Sequence, residues 1–188
     1  MSRARGGFAS AAIAVAGTSA VAMVALEPST RFSLRLRAER AHQLSGVAGF
    51  ALDLPINRCA VAGARTSMRL GPDEWLLVDA EASSDALERE LTIGLGAGFR
   101  SLVDISHRQG AIAISGTSAR EGINGGCPLD LHDSAFPPGS ATRTVFGKAE
   151  IILSRPTAAL TYHVECWRSF APYVIALAQD IARGLGAG

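Results

Sequence analysis

The sequence predicts an α+β chain of two packed lobes, the first ordered β-α-β-β-α-β and the second β-α-β-β-α. Three observations carry that expectation. Arg31 to Arg37 alternates apolar and polar residues with the period of a half-buried strand. Leu87, Leu91 and Leu95 recur every four residues, as on one face of a helix. Ser169 to Ala182 closes the chain with a second run of helical period. The expected organisation is a leader at residues 1–26, flexible or interface-docking, a first lobe at 27–100 and a second at 101–184.

Size and composition narrow the function classes. The chain has 188 residues, 48% hydrophobic and 19% charged, so it can bury a sizeable core and is not disordered in bulk. A net charge of +1 is too balanced for a protein that neutralises phosphates, which argues against a nucleic-acid partner. Cys59, Cys127 and Cys166 are odd in number and widely spaced, favouring a reducing, cytoplasmic setting over a disulfide framework. Arg3 and Arg5 precede an uncharged stretch from Phe8 to Leu26, the order in which a secretory signal begins. That stretch is mostly Ala, Gly, Ser and Thr. Its transfer energy is weak for insertion, so a leader is favoured over a signal and no membrane span is expected.

Within the first lobe, Phe32, Leu34 and Leu36 face one way, and Arg31, Arg35 and Arg37 face the other. The arginine face is either a strip for an anion or partner or, more plainly, a solvated strand face that resists edge pairing. Glu39 to Leu44 reads as a short helix. Asp53 to Gly63 reads as a loop or weak strand. Thr66 to Leu70, the turn Gly71-Pro72-Asp73 and the apolar run Trp75 to Val78 form a hairpin. Asp73 and Glu74 sit in that turn with nothing to desolvate them, so they read as turn residues and not as catalytic carboxylates. Ser83 and Ser84 are candidate N-caps for the leucine helix, and Gly94 and Gly96 mark its end. Ser101 to Ile105 and Ala111 to Ser115 are the next two strands. The order up to Ile105 is ferredoxin-like.

In the second half, Ser118 and Glu121 have the spacing of a capping box, and Gly122, Gly125 and Gly126 keep that helix short. Arg143 to Ser154 supplies one or two strands and Thr161 to Cys166 another. In the last helix, Phe170, Tyr173, Val174, Leu177 and Ile181 are expected on the buried side, with Ser169 as cap and Pro172 in the first turn.

The residues offer little to chemistry. His163 and Cys166 lie three apart on a strand and face opposite ways, and Cys127 and His132 have no second such pair, so a metal site is not favoured. Cys127 as a nucleophile would need His107 from far away in sequence and lacks an orienting third group; a small buried cysteine is the commoner outcome. Gly116 to Gly122 matches no phosphate-binding glycine motif. What remains is a binding surface. Arg35, Arg37, Phe136, Trp167 and Arg168 are its candidates, because aromatics and arginine favour interface centres. The competing reading makes Phe136 and Phe170 core anchors.

Five strings carry a resemblance: Leu70 to Leu77 (LGPDEWLL), Val103 to Ser106 (VDIS), Gly126 to His132 (GCPLDLH), Phe136 to Gly139 (FPPG) and Arg168 to Tyr173 (RSFAPY). In this order and spacing the chain resembles the gamma subunit of heterotetrameric sarcosine oxidase from about Glu27 to Ile181. The resemblance implies a fold similar to the folate-binding aminomethyltransferases and a subunit without catalytic, cofactor-binding or metal residues of its own. It implies a complex that oxidises sarcosine to glycine with oxygen as acceptor and passes the one-carbon unit to tetrahydrofolate or releases it as formaldehyde. FAD, FMN, NAD, zinc and tetrahydrofolate are then held by the other subunits, and the partners are the alpha, beta and delta chains, chiefly the large alpha chain. The rival reading is a stand-alone folate- or small-molecule-binding module of the same fold. The Lys-Gly-Cys-Tyr motif of folate-dependent relatives survives only as Gly126-Cys127, with Pro128 at the tyrosine position, so their chemistry is not implied. Two further departures are Ile123-Asn124-Gly125-Gly126, where leucine and lysine are usual, and the alanine-rich leader before Val24.

Overall fold

The computed structural model describes residues 20–185. The chain divides into two compact units: Ser29–His107, and the residues up to Pro28 together with those from Arg108 onward. Strand β1 is Ala22–Ala25 and β2 is Thr30–Leu36. Helix α1 (Ala38–Leu44) leads into the short hairpin of β3 (Gly46–Val47) and β4 (Phe50–Ala51). Strands β5 (Arg58–Ala62), β6 (Arg65–Arg69) and β7 (Glu74–Asp79) follow, then α2 (Ser84–Leu95) and β8 (Arg100–Asp104). The remainder is β9 (Gln109–Ser115), α3 (Ala119–Asn124), β10 (Ser140–Phe146), β11 (Ala149–Arg155), β12 (Thr161–Trp167) and α4 (Ala171–Leu185).

In the Ser29–His107 unit the strands run β5-β6-β7-β2-β8, every neighbour antiparallel. Strands β2, β6, β7 and β8 with α1 and α2 follow the expected β-α-β-β-α-β order, and β5 extends the sheet at one edge. Asp53 to Gly63 therefore holds a full strand, which pairs Arg58 with Arg69 and Ala62 with Arg65. The core gathers Phe32, Leu34 and Leu36 of β2, Trp75 and Leu77 of β7, and Leu87, Leu91 and Leu95 of α2. The α2 cap is as expected: Ser83 Oγ accepts from the Ala86 amide. Strand β8, which the expected division at residue 100 assigns to the later lobe, pairs with β2 and so belongs to this unit.

Arg31 departs from its expected solvated position and is 2% exposed. The reason is that β2 is not an edge strand; it lies between β7 and β8. Its flanking turns cover Arg31, whose Nη1 donates to the Ser29 carbonyl (2.9 Å), while its backbone amide donates to Ser106 Oγ (2.9 Å).

The other unit is a sheet ordered β1-β9-β12-β11-β10, again antiparallel throughout. Residues 22–25 of the expected leader form β1, with Ala22 opposite Ser115 and Ala25 opposite Ile112; residues 1–19 lie outside the described residues. Three strands stand between α3 and α4 where the expected order has two. The split falls at Gly147-Lys148, where the positive φ of Gly147 (60°) suits a two-residue hairpin with right-handed twist. The core packs Ile112, Ile114, Tyr162, Val164 and Cys166 of the sheet against Ile123 of α3 and Val174 of α4.

Both helices of this unit differ locally from the sequence reading. Ser118 caps no amide with its side chain, because its backbone (φ −106°, ψ 24°) is not in the extended region an N-cap uses. Helix α4 begins after Phe170, so Ser169 lies outside it. It buries Ala171, Val174, Ala178 and Ala182. These small residues turn the helix so that Phe170 and Tyr173 face outward, and Leu177 and Ile181 are only partly buried. Among the described residues no helix is long and apolar enough to cross a membrane.

Candidate functional site

Four of the five family-like strings act as structural joints. In LGPDEWLL, the fully buried Trp75 donates from Nε1 to the Leu52 carbonyl (3.1 Å) and lies under the Arg69 guanidinium, 5.0 Å from the ring centroid. Arg69 also donates to the carbonyls of Leu54 (2.7 Å) and Pro72 (2.9 Å), fastening the turn. Asp73 and Glu74 both pair with Arg35, at 2.9 and 3.2 Å. In VDIS, Asp104 Oδ1 accepts from the Ser106 amide (2.8 Å), and Oδ2 accepts from Ser84 Oγ at the start of α2. Burial works to raise the Asp104 carboxyl, but the bonds from Ser106 and Ser84 outweigh it and hold the group below its ordinary range.

The segment from Cys127 to Gly139 is held by an ionic hub. Asp133 accepts from both Arg120 and Arg155. The buried Arg155 also donates to the Phe136 carbonyl (3.3 Å) and lies 5.7 Å from the Tyr162 ring centroid; Arg120 Nε donates to Tyr162 Oη (3.3 Å). Arg155 first, then Arg120, holds the Asp133 carboxylate below its usual range. At the start of the segment, Cys127 Sγ lies 3.7 Å from Thr144 Oγ1 and the cysteine is buried. At its end, Gly139 donates to the Arg155 carbonyl (2.7 Å). The sequence signal for this hub is Arg155, a charged residue that closes the apolar run Ile151 to Ser154.

The five candidate interface residues differ in exposure. Arg35 is exposed and already committed to Asp73 and Glu74, and Arg37 is exposed beyond the end of β2. Phe136 is 6% exposed and stacks on Tyr162 with ring centroids 6.3 Å apart, so it sits in the core, as the anchor reading had it. Trp167 and Arg168 are exposed at the end of β12, with Arg108 5.0 Å from the Trp167 ring centroid. Phe170, expected as an anchor, joins them at the surface.

Strand β12 separates the residues weighed as metal ligands. Tyr162, Val164 and Cys166 face the core, whereas His163 lies on the opposite face, across from Ala113 and Ser154. Burial lowers His163 below its ordinary value, partly countered by Glu165. No cluster of three metal-ligating side chains exists among the described residues.

This architecture is shared. Aminomethyltransferase T of the glycine cleavage system from Bartonella henselae matches 85% of this chain with a TM-score of 0.63 and 11% identity, over 45% of its own length. The fold thus places the chain with proteins built like an aminomethyltransferase. A chain of the heterotetrameric sarcosine oxidase from Corynebacterium sp. U-96, solved in complex with pyrrole 2-carboxylate, gives a TM-score of 0.83 at 22% identity. That match covers 100% of this chain and 97% of the other. Sarcosine oxidase subunit gamma of Arthrobacter sp. is 29% identical over 165 residues, 80% of each chain. Sarcosine oxidase subunit gamma of Corynebacterium sp. (strain P-1) is 31% identical over 107 residues, 52% of each. The model of the sarcosine oxidase, gamma subunit family matches residues 37–183, and the chain belongs to that family.

Proposed function

We propose that the chain is the non-catalytic gamma subunit of a heterotetrameric sarcosine oxidase, assembled with alpha, beta and delta subunits and packed chiefly against the large alpha chain. The observation that carries this reading is the family match from residue 37 to 183, joined to a fold match running the length of both chains. The complex, an oxidoreductase acting on a CH–NH bond, converts sarcosine, water and oxygen to glycine, formaldehyde and hydrogen peroxide. With tetrahydrofolate as acceptor, the one-carbon unit leaves as methylene-tetrahydrofolate. FAD, FMN, NAD, zinc and the folate belong to the other subunits. This chain's own contribution is a rigid scaffold: Trp75, Asp104 and Asp133 hold turns in place, and exposed aromatic and basic side chains are left for contact.

The sheet order β6-β7-β2-β8 supports reading Ser29–His107 as a ferredoxin-like lobe. Three buried free cysteines support a cytoplasmic setting. The test is affinity capture of the tagged chain from its native cells, reading flavin absorbance and sarcosine-dependent hydrogen peroxide on the eluate. A yellow eluate with other chains that oxidises sarcosine is the expected result. A colourless chain recovered alone, and binding tetrahydrofolate in titration, would replace this reading with the stand-alone binding module.

A further inference from the structure

Helix α4 has an unusual outer face. From Ser169 to Gln179 the sequence contains no charged residue, so the first half of the helix is apolar or uncharged all round. A helix of that kind is ordinarily covered on every side. Here Pro172 and Ala176 are exposed, Phe170 is 42% exposed and Tyr173 39%. Phe170 stands immediately before the first residue of the helix, and Tyr173 lies in its first turn. The patch extends onto the β10–β11 hairpin, where the Lys148 amide donates to Tyr173 Oη at 3.0 Å.

The rim of this face is basic. Lys148 stands at the hairpin tip and Arg168 just before the helix, both exposed. Among the described residues neither side chain makes an ion pair with a carboxylate. The first acidic residue along α4, Asp180, is already taken by Arg183. An uncharged aromatic centre with two uncommitted cations at its edge is complementary to an apolar segment flanked by carboxylates.

We propose that Phe170, Tyr173, Lys148 and Arg168 form the surface on which a larger subunit of the oxidase docks, through an apolar segment bordered by Asp or Glu. This rests on the subunit reading above and names the face that serves it. Lys148 is the chain's single lysine, which gives the face a specific chemical handle.

The experiment is carried out on the assembled complex. A zero-length carbodiimide should couple Lys148 to an Asp or Glu of a larger subunit. Acetylation of Lys148 should be at least tenfold slower in the complex than in the chain purified alone. The variant Phe170→Asp and the double variant K148E/R168E should each reduce recovery of the chain with flavin by at least tenfold, with circular dichroism and melting unchanged. Ile93→Asp, at an exposed position of α2, should leave recovery as in the wild type. Equal acetylation in both states, full recovery of both variants, or coupling of Lys148 to a second copy of this chain would overturn the proposal. If the wild-type chain brings down a flavin complex and these results still fail, the docking face alone is wrong. If the wild-type chain brings down none, the subunit reading falls, and the proposed occupant with it.

Discussion

At the residue scale, the chain rests on charged groups that the fold buries and partners. Asp79 accepts from the amides of Glu81 and Ala82, each at 2.8 Å, and from Arg65 Nε at 2.7 Å. Burial pushes its carboxyl up, but these three partners prevail and hold it below the ordinary carboxylate range. A depressed carboxyl contributes stability that is complete above its unfolded value, about pH 4, and is lost as pH falls through the folded one. Asp79→Ala should therefore cost about 2–3 kcal/mol at neutral pH, read by urea unfolding. Below about pH 4 the difference from wild type should shrink; an undiminished difference in acid would contradict this assignment. The thiols give a second residue-level expectation. Burial pushes Cys59 and Cys166 each up to about 11, so both stay protonated at neutral pH. Alkylation followed by mass spectrometry should find both unmodified in the folded chain and labelled once it is unfolded in urea; rapid labelling of the native chain would refute it.

At the element scale, what the sequence revealed depended on which neighbour decided each position. Periodicity found β2, the β6–β7 hairpin and α2, because each carries its own apolar face, and Leu87, Leu91 and Leu95 are all fully packed. Periodicity misread the outward side of β2, since the burial of Arg31 depends on β8, a strand distant in sequence. It also misjudged α4. Large residues are expected inward, but the buried positions of α4 are Ala171, Val174, Ala178 and Ala182, and Phe170 and Tyr173 lie at the surface. The candidate site depends most on this: Phe136, a candidate for the surface, is buried, whereas Phe170 and Tyr173, expected inward, are exposed. The bond from the Lys148 amide to Tyr173 Oη joins the hairpin tip to α4, residues far apart in sequence. Close packing governs the turn just after α3. A Cβ on Gly126 would lie 2.8 Å from the fully buried Phe146 ring. Gly126→Ala should overpack this contact and cost about 1–3 kcal/mol. Gly184→Ala, with open space around it in α4, should be neutral or stabilise by up to about 1 kcal/mol. Thermal melting of the two variants checks the contrast, and equal midpoints would refute the packing argument.

At the scale of the whole molecule, the fold gives a stable chain in which the ionisable groups with resolved functions serve structure. Trp75 and Arg69 lock one turn, Asp104 another, and Asp133 with Arg155 a long loop. The surface at the β12–α4 junction is aromatic and basic, as the proposed docking requires. Family membership was legible in the order of five short strings, because the first four are turns or joints whose residues are fixed by local hydrogen bonds. The proposed docking face was legible only in Arg168, because the exposure of Phe170 and Tyr173 is decided by how α4 sits on the sheet. Native mass spectrometry of the complex captured through this chain tests the account most directly. The account predicts one copy of the chain in a flavin-containing assembly with three other kinds of subunit. A monomer, or an assembly built only from copies of this chain, would contradict it.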